Sequence, residues 1–278
     1  MLVELAVGDA YGACFEYAPA KFVAEHNTLR GYVPHPTHLE ITPGAYTDDT
    51  QMTLAIAELL AERADWTPRT LADRFVEVFH RDPRAGYAGR FHAFLQETTS
   101  GTEFLRRIRP DSDKSGAAMR AAPIGLLPTT AEVLEHAAVQ ARVTHDTPSG
   151  IASAQAAALA VHYCHRKLGP VGETAGWVAE LLGREWAEPW RGKVGSKGWM
   201  SVRAALTALT TSTKLSEMLK TCVAFTGDVD TVATIALAAA SRSAEIEQDL
   251  PRNLVDGLED GPYGRQYLEA LDARLSAA

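Results

Sequence analysis

Apolar side chains recur at intervals of three and four along most of the chain. Across residues 51–63, Met52, Ala55, Ile56, Leu59 and Leu60 fall on one face and Glu58 and Glu62 on the other. That spacing predicts an amphipathic helix. The same period predicts helices over 148–168, 175–182, 202–209, 215–225 and 231–246, and a last one through 264–275. Strict alternation of apolar and polar residues is nearly absent, so an all-α protein is expected. Many inward positions carry alanine. Small side chains let helix axes approach closely, which favours a compact, multi-layered bundle over a loose four-helix one.

The stretches without helical period are expected at about 21–46, 97–115 and 188–198. Loops of this length in a compact domain usually hold a site. No repeat, low-complexity tract or linker divides the 278 residues, so one domain over 1–278 is expected. The apolar share of 46% and charged share of 22% are those of an ordinary globular chain. A net charge of −8 makes the chain a poor candidate for sequence-independent binding of nucleic-acid backbones, but leaves room for a local phosphate-binding patch. Cys14, Cys164 and Cys222 are far apart and form no C-x-x-C pair. Buried thiols in a reducing cytoplasm are expected, rather than a disulfide framework or structural zinc. The opening MLVELAVGDAYGA lacks a basic n-region, and no apolar run reaches the ~18 residues of a membrane span. Neither a leader nor a membrane anchor is expected.

The candidate chemistry is acidic. Thr47-Asp48-Asp49-Thr50 stands at the start of the first periodic segment. Thr and Asp there fit ordinary helix capping. Two adjacent carboxylates exceed what a cap needs, however, and they repel one another without a cation. Thr226-Gly227-Asp228-Val229-Asp230-Thr231 has the same character and also opens a helix. A D-x-D spacing in a turn can aim two carboxylates at one point, and Thr231 can add a hydroxyl oxygen. Oxygen-only donors select hard cations, Mg²⁺ first and Mn²⁺ as a substitute. If the two clusters face each other, their carboxylates suffice for a two-metal site.

Three weaker signals accompany them. Gly8-Asp9-Ala10-Tyr11-Gly12 leads to Glu16, which is otherwise a surface acid. Lys114-Ser115-Gly116-Ala117-Ala118 puts small residues before an apolar helix start, where backbone N–H groups can cradle phosphate. Thr144-His145-Asp146 precedes the segment beginning at Pro148, and a lone histidine is more often structural than a ligand.

The order G-D-A-x-G…E, T-D-D-T, G-A-A-M-R-A-A-P-I-G, T-H, G-x-x-G-W and G-D-x-D-T-V-A resembles the ADP-ribosylglycohydrolases over nearly the whole chain. The resemblance implies an orthogonally packed all-α bundle with a central cleft for two Mg²⁺. It implies that Thr47, Asp48, Asp49, Asp228, Asp230 and Thr231 hold the metals. Lys114, Ser115, Gly116 and Ala117 would follow the diphosphate of ADP-ribose, and His145 would sit near its ribose. Gly195, Ser196 and Trp199 would flank the adenosine. The implied reaction is hydrolysis of the bond from C1″ of ADP-ribose to a modified protein, at arginine or serine, with Glu16 or Asp49 as general base. A monomer is the default.

The chain departs from the family pattern at Thr226 and Val229 in the second metal motif, and at Ser115 where asparagine is usual. Both metal-facing aspartates of D-x-D remain. Lys114 is expected to add a direct phosphate contact. Acceptor choice is expected to lie in the loops near 21–46 and 87–106. Two other readings compete. A relative that binds ADP-ribose without turning it over shares every motif except activity. An HD-type phosphohydrolase would use His145-Asp146 with His80, but leaves both acidic clusters unexplained.

Overall fold

A computed structural model describes residues 1–277, and its regular structure is helical, with isolated β-bridges and no sheet among the described residues. The helices are α1 (Leu2–Ala13), α2 (Ala20–His26), α3 (Asp48–Ala61), α4 (Pro68–Arg81), α5 (Gly89–Glu97), α6 (Gly101–Arg107), α7 (Gly116–Met119) and α8 (Thr130–Arg142). They continue with α9 (Pro148–Arg166), α10 (Thr174–Leu182), α11 (Gly198–Thr211), α12 (Leu215–Ala224), α13 (Val229–Ala240), α14 (Arg252–Asp256) and α15 (Arg265–Ala277). The all-α expectation holds, and the three cysteines are free and buried. No helix of the described residues is long and apolar enough to cross a membrane.

The architecture is organised around α13. All of its 12 residues are buried, so it is a core helix rather than an amphipathic surface one. Helices α1, α9, α11 and α12 surround it. Alanine at 233, 236 and 238–240 brings these neighbours close, as the alanine-rich inward faces predict.

Helices α1 and α13 pack backbone to backbone at Gly12. A Cβ on Gly12 would collide with Cα of Asp230 and lie 2.7 Å from its nitrogen. Gly12 therefore fixes how near α1 lies to a site residue. We expect Gly12→Ala to destabilise the protein although alanine is the better helix former. Propensity favours the change by at most ~1 kcal/mol. Overpacking between two fully buried helices opposes it by ~1–3 kcal/mol. Chemical denaturation measures the sign, and a gain in stability would refute the packing argument.

Several boundaries differ from the sequence expectation. Helix α3 starts at Asp48 rather than Gln51, and α13 runs from Val229 to Ala240 rather than from 231 to 246. The D-x-D pair therefore does not lie in a non-helical turn: Asp228 is the N-cap and Asp230 lies in the first helical turn. The 97–115 stretch is not structureless either, because Ser100 caps α6 inside it by accepting from the Glu103 N–H.

Candidate active site

A cleft of about 900 Å³ opens where the N-terminal ends of α3 and α13 meet the turn before α9. Its wall includes Glu16, Asp48, Asp49, Asp228, Asp230 and Thr231, so the two acidic clusters do face each other. The positive ends of α3 and α13 point at this concentration of acid.

Asp9 on α1 builds one half of the site. Its carboxylate accepts from the Thr47 N–H at 3.0 Å, the Thr47 hydroxyl at 2.7 Å, the Thr50 N–H at 2.9 Å and the Thr50 hydroxyl at 2.6 Å. Capping by Thr47 and the T-D-D acids themselves is the simple local expectation, but the helix start is held differently. Thr47 makes no side-chain cap, and a carboxylate from another helix supplies the acceptor. Asp48 and Asp49 are thereby released to face the cleft.

The other half is built by loops. The Val194 N–H donates to the Thr226 carbonyl at 2.9 Å, and the Asp228 N–H to the Val194 carbonyl at 3.2 Å. Gly227 sits against Val194 with φ of 93°, a left-handed conformation and a close approach that together require glycine. The Ser201 hydroxyl donates to Oδ2 of Asp228 at 2.9 Å. Oxygens of Glu16, Asp228 and Asp230 come within 4.8 Å of one another, close enough to hold one metal ion.

Burial and mutual repulsion push these acids toward the protonated form. Burial holds Asp48, Asp49 and Asp230 well above the ordinary carboxylate range, with neighbouring acids adding to it. Asp228 is raised by burial and drawn back by the Ser201, Ser115 and Thr231 hydroxyls. Glu16 is pushed up to about 8, by burial first and then by Asp228, Asp9 and Glu40. Oδ1 of Asp49 and Oδ1 of Asp230 are buried with no hydrogen-bond partner among the described residues. Orphaned, like-charged oxygens of this kind fit a hard divalent cation, which satisfies the lone pairs and reverses the repulsion.

A basic rim surrounds the acidic floor. Arg90, Arg107, Arg109 and Lys114 line it, and Arg120 reaches it from the core. Arg120 is 1% exposed and has no carboxylate partner among the described residues. It donates to Oε1 of Gln140 at 2.6 Å and to the Thr144 hydroxyl at 2.8 Å, and lies over the Phe75 ring. The Thr144 hydroxyl is also 2.7 Å from Nδ1 of His145. Burial, then Arg120, lowers His145 to about 3, so its ring is neutral in any ordinary buffer.

The profile of the ADP-ribosylglycohydrolase family matches residues 1–278. The chain belongs to that family. It is 25% identical over 281 residues to the ADP-ribosyl-[dinitrogen reductase] glycohydrolase of Rhodospirillum rubrum, covering 99% of this chain and 94% of that one. It is 32% identical over 127 residues to the ADP-ribosylhydrolase ARH3 of Xenopus tropicalis, covering 42% of this chain and 36% of that protein. An uncharacterized protein of Archaeoglobus fulgidus is 30% identical over 163 residues, or 58% of this chain and 53% of the relative. This chain thus spans about half or less of the length of the latter two relatives. A solved structure titled ADP-ribosylglycohydrolase-related protein complex superposes with a TM-score of 0.76 at 25% identity, covering 99% of this chain and 95% of that one.

Among ADP-ribosylglycohydrolase positions expected from the sequence, Glu16, Asp48, Asp49, Lys114, Ser115, Gly116, His145, Ser196, Asp228, Asp230 and Thr231 share the cleft wall. Thr47 and Ala117 are buried behind it. Gly195 and Trp199 do not line it; Trp199 packs instead on Trp190 at 5.7 Å between ring centres, with Arg203 beside both. His80 is bonded to the Thr98 carbonyl at 2.8 Å, and Asp146 is exposed, so the structure does not assemble an HD dyad. Asp9, Arg120 and Ser201 were not expected as site residues. Asp9 stands within the quoted G-D-A motif, and its only signal was an acid inside an apolar helix.

Proposed function

We propose that this family member is a Mg²⁺-dependent hydrolase that releases ADP-ribose from a modified protein side chain, arginine or serine. The observation that carries the reading is the union of an acidic floor with orphaned oxygens and a basic rim in one cleft. The floor suits two hard cations, and the rim suits a diphosphate.

Asp48, Asp49, Asp228 and Asp230, with Thr47 and Thr231, would hold two Mg²⁺ or Mn²⁺. When bound, such ions orient ribose hydroxyls and lower the pKa of water. Lys114, Ser115 and Gly116 would follow the diphosphate, with Ala117 packed behind them. Ring atoms of neutral His145 would lie 2.9 Å from a Cβ on Gly116, which puts the ring beside that loop and the ribose it positions. Cleavage builds oxocarbenium character at C1″, so an attacking water must lose a proton. Glu16 is only partly buried at the cleft edge, whereas Asp49 is 3% exposed with a donorless oxygen. We therefore assign the general base to Glu16, whose carboxylate also lies close enough to share a cation with Asp228 and Asp230, and a metal ligand alone to Asp49.

Peptides carrying ADP-ribosyl-arginine or ADP-ribosyl-serine test the reading. ADP-ribose is released from at least one of them with Mg²⁺ and from neither with a chelator. Intact substrates under wild-type protein with Mg²⁺ would overturn it, and calorimetric binding of ADP-ribose without release would mark a binding module.

A pH-dependent stability follows. Without cations, Glu16 ionises near 8 in the folded chain and near 4.5 as a free carboxyl. Folding thus favours the protonated acid, and cation-free stability falls as pH rises from about 4.5 to 8. Metal binding needs the ionised form, so its contribution moves in the opposite direction. We expect Mg²⁺ to raise the melting temperature more at pH 8 than at pH 5.5. An equal shift at both values in differential scanning fluorimetry contradicts this.

A further inference from the structure

One peptide group beside the cleft is gripped from both sides. The carbonyl oxygen of Glu16 lies 2.8 Å from Nε2 of His35. The N–H of Tyr17 belongs to the same peptide group, and it donates to the Gly227 carbonyl at 2.8 Å. Gly227 precedes Asp228, so this clamp joins the Glu16 segment to the second acidic cluster.

The backbone itself fixes the tautomer of His35. Its Nδ1 faces the Thr37 N–H at 3.1 Å and the His38 N–H at 2.8 Å. An atom receiving two N–H donors carries no proton of its own, so the ring hydrogen sits on Nε2 and points at the Glu16 carbonyl. The ring is 3% exposed and has no rival partner in water. His35 therefore folds its own loop with one nitrogen and holds Glu16 with the other.

The gripped segment is strained. Tyr17 has φ of 51° and Thr226 has φ of 63°, both left-handed without being glycine. Such conformations persist only where surrounding contacts over-determine them. Here the strained residues flank the clamp on its two sides. Released from His35, the Glu16–Tyr17 peptide can rotate to a relaxed conformation, which carries the Glu16 carboxylate away from Asp228 and Asp230.

We propose that His35 is a positioning residue that holds the Glu16 carboxylate in the cleft through the Glu16–Tyr17 peptide. This rests on the reading of Glu16 as a site carboxylate. Two conservative variants separate the two nitrogens of His35. In His35→Asn, the amide oxygen replaces Nδ1 and accepts from residues 37 and 38 as in an Asx-turn, but nothing reaches Glu16. In His35→Gln, the longer amide places its N–H near the lost Nε2 and restores the bond to Glu16.

His35→Asn is expected to melt with the wild type, keep its KM, and lose turnover by ~10–100-fold, the range for groups that orient a metal-site residue. Its Mn²⁺ affinity, measured by calorimetry without substrate, weakens in parallel. His35→Gln regains most of both. Equal loss in the two variants with a lowered melting temperature would make His35 merely structural and overturn the proposal, as would wild-type turnover and Mn²⁺ affinity in His35→Asn. Glu16→Gln separates the two readings. If it stays fully active, the role of Glu16 falls; if it is inactive while His35→Asn is unimpaired, only the role of His35 falls.

Discussion

Asp230→Asn is expected to raise the melting temperature of the cation-free protein and to abolish hydrolysis in the same molecule. The two effects share one cause. Asp230 is 3% exposed, its Oδ1 has no donor, and Glu16, Asp49, Asp228 and Asp9 all oppose its ionisation after burial has done so first. The neutral amide is nearly isosteric, removes that repulsion, and brings an N–H donor to a neighbourhood of bare carboxylates. We expect a gain on the order of 2 kcal/mol in chelator, reversed in sign once Mg²⁺ is present. With a ligand gone, hydrolysis falls by at least ~100-fold. Thermal melts with and without Mg²⁺, beside an ADP-ribose release assay, read both. Wild-type stability or below in chelator, or an undiminished Mg²⁺ shift, would show that Asp230 does not belong to a cation-seeking cluster.

Such an exchange of stability for function is expected where acids are gathered for a cation. It also explains why the site was so legible. Acid pairs at two helix starts contradict local economy, since a cap needs one acceptor and gains nothing from a second charge. The sequence therefore singles out Asp48, Asp49, Asp228 and Asp230, which share the cleft wall. Several of the long periodic helices were equally legible: the expected 148–168 segment is α9, Pro148–Arg166, with Pro148 at its first position, whereas α4 and α8 lie outside the expected segments although both are periodic.

What escaped beyond α4 and α8 was fixed by tertiary partners. The start of α3 was set too late because Asp48 and Asp49 carry no apolar period. Asp9 supplies the acceptor that makes them helical, from a segment 38 residues away. The end of α13 was set too far on, because apolar Ile246 continues the pattern after Ala240 although the helix has stopped. Short α6 was lost because its buried residues, Gly101 and Phe104, give too little period in seven positions. His35 had no sequence signal at all, since its role exists only once a loop has closed over Glu16.

Asp9→Ala is the most damaging single change we expect outside the cation ligands. The carboxylate is fully buried and serves four donors: the N–H groups and hydroxyls of Thr47 and Thr50, which are themselves buried. Alanine leaves all four without their acceptor. The hydroxyls can rotate to seek others, but the two N–H groups at the head of α3 cannot, and each costs ~1–3 kcal/mol when stranded. One gain opposes this, because burial already raises the Asp9 pKa and its charge repels Asp48 and Asp49. The gain is smaller, since the bonds accepted by Asp9 are charge-assisted and lie at the positive end of a helix. We expect a net loss of ~3–5 kcal/mol for Asp9→Ala in urea unfolding. Asp9→Asn is expected to lose less, because its remaining oxygen still accepts. The loss should appear in Mg²⁺ affinity too, because α3 then no longer presents Asp48 and Asp49 at a fixed start. A loss below ~1 kcal/mol for Asp9→Ala would mean that water or Thr47 itself can cap α3. The acidic pair would then owe its position to the cation rather than to α1.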